Sequence, residues 1–220
     1  MPILIGIGGG SGAGKTVLAQ EIQRQISPSY CVILPLESYY RNWDDLPEFN
    51  GWKNFDHPDA FDQDTLIYHL RALSMNATIQ QPVYENHRRI GYRTFSPAYL
   101  TCVVGLHILN LAEFRAVLNL NIYVNTPDPI RYKRRLQRAR QEWGLSTEQA
   151  RLQYEQMVYP MYKQWVEPSQ KYADVIVSGI TPVAETARHI LKRLQKCDAK
   201  IPHLQIKHNI GGKSYPENIN

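Results

Sequence analysis

Nine residues near the start of the chain, GGGSGAGKT at positions 8 to 16, combine the properties that phosphate chemistry needs. Gly9, Gly10, Gly12 and Gly14, with Ser11 and Ala13 between them, let the backbone turn its N–H groups inward around phosphate oxygens. Lys15 brings a cation to the outer phosphates, and the Thr16 hydroxyl suits Mg²⁺. Gly9, Gly14, Lys15 and Thr16 fit the spacing G-x-x-x-x-G-K-[ST]. The apolar run Ile3 to Ile7 ends in the glycines as a buried strand would. Behind the loop, Val17, Leu18, Ile22 and Ile26 recur at helical spacing, so a helix points its positive end at the phosphates. Nucleotide binding follows; a kinase, a GTPase, a motor and a sensor all remain open.

The acceptor side decides among them. In LESYYR (36 to 41), Glu37 follows a second apolar run, Tyr30 to Leu36, and would stand at a strand's carboxyl end beside the loop. A carboxylate there can accept a hydroxyl proton during phosphoryl transfer, or it is a solvated loop residue. In RYKRRLQRAR (131 to 140), Arg131, Arg134, Arg135 and Arg138 are spaced i, i+3, i+4 and i+7, which puts four guanidinium groups on one helical face. Such a stripe repels itself unless an anion lies opposite, and guanidinium forks suit a transferring phosphoryl group. A solvated basic face or an RNA-binding stripe is the competing reading.

The elements that must position these residues alternate. Leu66, Leu70 and Leu73 mark a helix that Asp62 or Asp64 could cap. Residues 37 to 61 read as irregular, site-building sequence. The β-prone runs 78 to 84 and 90 to 95, separated by ENHRR, read as a projecting hairpin. Next come a strand at 99 to 105, a helix around 108 to 118 and a strand at 121 to 125. A basic helix (about 128 to 142), a helix at 147 to 159, a strand at 174 to 178 and a final helix at 182 to 196 complete the pattern. Strands alternating with helices predict an α/β fold, a parallel sheet covered on both sides. Residues 1 to 197 are expected to form one domain, and residues 198 to 220, polar with Gly and Pro, a loosely held tail.

The whole chain of 220 residues, 43% hydrophobic and 20% charged, excludes disordered and fibrous classes. A net charge of +5 suits an anionic ligand but is too mild to argue for nucleic acid. Cys31, Cys102 and Cys197 have no metal-like spacing, and their odd number suits a reducing compartment. No apolar run approaches the roughly 20 residues of a spanning helix. A cytoplasmic protein is expected.

NFDHPDAFD (54 to 62), PVYENHRR (82 to 89), RYKRRLQRAR and KYADVIV (171 to 177), in this order behind the phosphate loop, resemble the uridine kinase family, from about residue 3 to 196. NFDHPDAFD is the most specific string. The resemblance implies a P-loop NTPase fold with a nucleoside-binding β-hairpin (about 78 to 96) and a basic helical lid (about 128 to 150). It implies transfer from ATP or GTP, with Mg²⁺, to the 5′-hydroxyl of uridine or cytidine, and homo-oligomers rest on it alone. By the same resemblance Asp56 binds the ribose hydroxyls, Phe55 and Tyr40 line the nucleoside pocket, and Tyr84 and His87 contact the base. Arg131 and Gln149 reach the nucleoside side, while Arg134 and Arg138 belong to the lid. Three departures stand out. The family's proton-accepting Asp is Glu37 here. A Glu that helps hold Mg²⁺ is Val104. The turn after PVY is two residues shorter, and His87 matches the family's histidine only across that deletion. A kinase-like nucleotide-binding protein and a kinase of another riboside are the alternatives.

Overall fold

The continuous apolar run at the N-terminus folds as a strand buried on both faces. In the computed structural model, which describes residues 1–197, β1 (Ile3–Gly8) is followed by the glycine loop and α1 (Lys15–Ile26). Leu4 joins the core on one face of the sheet, while Ile5 and Ile7 join the other, the period of two expected of a strand. The expected tail lies outside the described residues.

The parallel sheet has the order β2-β7-β1-β8-β9. Here β2 is Cys31–Pro35, β7 Leu100–Val104, β8 Leu120–Asn125 and β9 Val175–Ser178. α1 and α7 (Val183–Cys197) cover one face. α2 (Gln63–Ser74) and the short α3 (Ala112–Val117) cover the other. Asp62 caps α2, its carboxylate accepting from the Thr65 N–H at 3.2 Å. Cys31 and Cys102 are free buried thiols on adjacent strands. No helix among the described residues is long and apolar enough to cross a membrane.

Two small sheets stand off the main one. β3 (Glu48–Phe49) and β4 (Trp52–Lys53) pair within the irregular segment, and β5 (Ile79–Glu85) with β6 (Arg88–Phe95) forms the expected hairpin. Its turn residues, Asn86 at φ 46° and His87 at φ 63°, both lie in the left-handed region, as a two-residue hairpin turn matched to the strand twist requires.

The helical region differs from expectation in two places. The helix expected around 108 to 118 is confined to α3, because the Arg115 guanidinium bonds the carbonyls of Leu109 and Asn110 at 2.7 Å and so satisfies an irregular turn before it. The basic helix is α4 (Asp128–Trp143), and the next, α5 (Thr147–Gln153), ends early. Two π-turns follow, Tyr154–Val158 and Tyr162–Val166, separated by the single turn α6 (Tyr159–Met161), and a 3₁₀ stretch runs from Glu167 to Tyr172. Pro160 and Pro168 lack the N–H that an α-helical ladder needs, and the wider turns lie directly before them.

Candidate active site

At the carboxyl ends of β1 and β8 the sheet order reverses, and the phosphate loop sits at that switch point. Gly14, left-handed at φ 99°, is the N-cap of α1 and provides no side-chain cap, so the first N–H groups of the helix remain for an anion. Gly9 has φ 136°, and a Cβ on it would come within 2.5 Å of the Val124 carbonyl oxygen. Only glycine lets the loop lie this close to β8. The Thr126 hydroxyl fastens the loop by donating to the Ala13 carbonyl at 2.9 Å. The Lys15 ammonium donates to the carbonyls of Gly9 and Gly10, each at 2.9 Å. Burial lowers its pKa to about 8, partly offset by Glu37.

α4 brings its arginines to the loop, but the structure divides the expected stripe. Arg134 donates to the Gly12 carbonyl at 3.2 Å, and Arg138 to the Ser11 hydroxyl at 3.2 Å. Arg135, buried, donates to the Gln153 side chain at 3.0 Å. Desolvation lowers its pKa to about 10 against the attraction of Asp56. Arg131 instead turns behind the loop. It is 1% exposed, bonds the Thr126 carbonyl and Asp128 at 3.1 and 2.7 Å, and lies over the Tyr162 ring at 3.6 Å. Gln149 is exposed, and its side chain accepts from the Ser146 N–H in a capping box at the start of α5. Neither residue lines the cleft; one turn further on, Arg135 and Gln153 do. Among the described residues, two buried guanidinium nitrogens, Arg131 Nη1 and Arg135 Nε, have no hydrogen-bond partner. Of the two, Arg135 lines the cleft, and its free donor beside the phosphate loop fits a polyanionic ligand.

The cleft continues from the loop into an aromatic box, and its volume of about 1300 Å³ exceeds that of a single small-molecule site, about 300–1,000 Å³. Tyr40 stacks on Phe61 with ring centroids 4.5 Å apart and meets Phe55 edge-on at 5.1 Å. Tyr84 stands 5.7 Å from Tyr40, and its buried hydroxyl has no hydrogen-bond partner among the described residues. His87 lies 5.5 Å from Phe55 and 4.9 Å from Trp43, so the shortened turn still carries it to the cleft. Nothing in the sequence singles out Trp43 beyond the aromatic richness of residues 37 to 61. Asp56 lies between box and loop. Burial raises its pKa, while Arg135, Arg138 and Lys15 favour its charged form. Its backbone carbonyl accepts from His107 Nε2 at 2.9 Å, and Asn110 donates to the other ring nitrogen. Glu37 and Thr16 line the same cleft, while Val104 is buried at the end of β7. The described residues hold no cluster of three or more metal-ligating side chains.

Comparison with known proteins places this geometry among phosphate-transferring enzymes. The model of the phosphoribulokinase/uridine kinase family matches residues 4–187. The uridine kinase of Lactobacillus johnsonii is 41% identical over 181 residues, covering 80% of this chain and 86% of that one. The uridine kinase of Ligilactobacillus salivarius is 35% identical over 206 residues, covering 89% and 97%. Among solved structures, the phosphoribulokinase of Rhodobacter spheroides superposes with a TM-score of 0.59 at 14% identity, over 80% of this chain and 70% of that one. The last likeness is one of fold.

Proposed function

The chain belongs to the phosphoribulokinase/uridine kinase family and is a phosphotransferase, and from that premise we propose that it phosphorylates the 5′-hydroxyl of uridine or cytidine from ATP or GTP. The observation that carries this reading is the Asp56 carboxylate, buried between the aromatic box and the cations of the phosphate loop and lid. A carboxylate there can accept both ribose hydroxyls of a nucleoside whose base stacks among Tyr40, Phe55, Tyr84 and His87. The 5′-hydroxyl then points toward Lys15 and Glu37.

In the mechanism, Glu37 takes the hydroxyl proton as the acceptor oxygen attacks the γ-phosphorus, and the bond from that phosphorus to the β–γ bridging oxygen breaks, releasing the nucleoside diphosphate. Lys15, Arg134 and Arg138 stabilise the charge that gathers on the transferring phosphoryl group. Arg135, held by Gln153, fixes the electrostatics around Asp56. Mg²⁺, when bound, neutralises phosphate charge; the Thr16 hydroxyl and Glu37 are the side chains that would hold it. A set this small fits the ion, which usually keeps several waters and few protein ligands.

One observation favours a second reading. With Val104 where a carboxylate would serve the metal, the protein would be a kinase-like nucleotide-binding module, and Glu37 would be drawn to the ion rather than the hydroxyl. Transfer from radiolabelled ATP to uridine and cytidine in excess Mg²⁺, with Lys15→Ala as control, decides between them. Label in the nucleoside that vanishes in the control supports the kinase. ATP binding without transfer to either nucleoside supports the module, unless a panel of other ribosides accepts phosphate.

A further inference from the structure

We propose that Trp143, the last residue of α4, is a positioning residue for the lid, holding the guanidinium groups of Arg135 and Arg138 by their faces so that their edges stay available for phosphate. This rests on the kinase reading above. The Trp143 ring lines the cleft, with the guanidinium carbon of Arg135 4.1 Å and that of Arg138 5.1 Å from its centroid. Both lie within the roughly 6 Å over which a ring's negative face attracts a cation. The two arginines are one turn apart and repel, Arg138 contributing to the lowered pKa of Arg135. A carboxylate placed between them would relieve that repulsion but would occupy their in-plane N–H donors and cancel the charge that catalysis uses. An indole ring attracts the cations and takes neither. The donors remain in the plane, where Arg138 already reaches Ser11 of the phosphate loop and Arg135 reaches Gln153. Arg135 Nε has no hydrogen-bond partner among the described residues.

The test uses the full chain carrying Trp143→Leu or Trp143→Phe, together with tryptophans of increasing fluorination placed at position 143. The dissociation constant of Mg-ATP is read by calorimetry, and kcat for transfer to uridine beside it. The Leu variant should bind Mg-ATP about tenfold more weakly and lose at least as much in kcat, and Phe should restore most of both. Affinity should fall stepwise as fluorine withdraws charge from the ring face, a trend that packing alone does not produce. Trp143 is 43% exposed, so the melting temperature should hold. Unchanged Mg-ATP affinity in the Leu variant, or a flat fluorination series, overturns the proposal. Because the affinity is measured without an acceptor, failure of uridine to accept phosphate would sink the assigned substrate and leave this test standing.

Discussion

Lys15 and Glu37 attract each other, the carboxylate raising a pKa that burial brings down. Glu37→Gln removes the proton acceptor and leaves the phosphate loop intact, so kcat should fall by about 10²–10⁴ while ATP still binds. Steady-state transfer with parallel ATP titration checks this, and an unchanged kcat would take Glu37 out of the mechanism. His107 makes a different kind of prediction. Asn110 donates to its Nδ1, which leaves the proton on Nε2 for the Asp56 carbonyl, and burial lowers its pKa to about 4. A folded-state pKa below the unfolded value of about 6.5 means that the unfolded chain gains a proton first as pH falls. Stability should therefore decline between about pH 6.5 and 4, by up to about 3 kcal/mol. In His107→Gln, which does not titrate, urea midpoints should be lower at pH 7 but flatter across that window; an equally steep decline would exclude His107 as its source. The phosphate loop was legible because its spacing is tied to phosphate chemistry, and Glu37 stood out as a carboxylate at the end of an apolar run; Asp56 was singled out only by the resemblance of NFDHPDAFD to the uridine kinase family. The sequence could not separate Arg131 from Arg135, since residues four apart share a helical face and only the packing of Tyr162 decides which one turns inward. Gln149 and Gln153 are divided in the same way, by the capping box. His107 sits in an apolar run, and nothing in its type foretold a bond to Asp56.

Among the elements, the β5–β6 hairpin shows local structure serving the site against its own preference. Asn tolerates a left-handed backbone; His at φ 63° is a poorer choice, and glycine is the usual solution. The turn is held from outside, the Trp43 N–H donating to the His87 carbonyl at 3.1 Å and the Arg89 N–H to Asn42 at 3.0 Å. A side chain kept at a strained position, with its ring against Trp43 and Phe55, points to a task for that ring. His87→Gly should raise thermal stability by up to about 1 kcal/mol while raising KM for the nucleoside several-fold. Loss of stability without change in KM would mean that the imidazole packs the turn and does nothing more. The hairpin was legible because its strands are β-prone and bracket a polar turn. The stretch from Tyr154 to Tyr172 was not, because π and 3₁₀ turns keep an apolar spacing close to that of an α-helix, and only Pro160 and Pro168 marked the interruption.

At the scale of the whole molecule, the sheet order brings the ends of β1, β2 and β7 to one place. Val104 closes β7 there, in register with Ile7 of β1 and Pro35 of β2, and its side chain joins the core on the α1 side, the helix whose first turn carries Thr16. The parallel α/β fold was legible from alternating elements; the order of its strands, which sets Val104 between Ile7 of β1 and Pro35 of β2 at the end of the sheet that carries the phosphate loop, comes from the structure. A carboxylate introduced at 104 would be buried and, lacking a cation, destabilising by about 1–3 kcal/mol. Opposite Mg²⁺ it would become a ligand or orient the ion's waters. Val104→Glu should therefore melt lower than the parent alone and regain most of the difference with Mg-ATP. Its rate should rise above that of the parent most strongly at low Mg²⁺, with the two converging as the ion saturates. Melting curves with and without Mg-ATP, beside transfer rates across a Mg²⁺ titration, measure both effects. A variant that stays slower at every Mg²⁺ concentration would show that Glu37 and Thr16 already meet the metal's needs, and that valine at 104 is a settled part of this core.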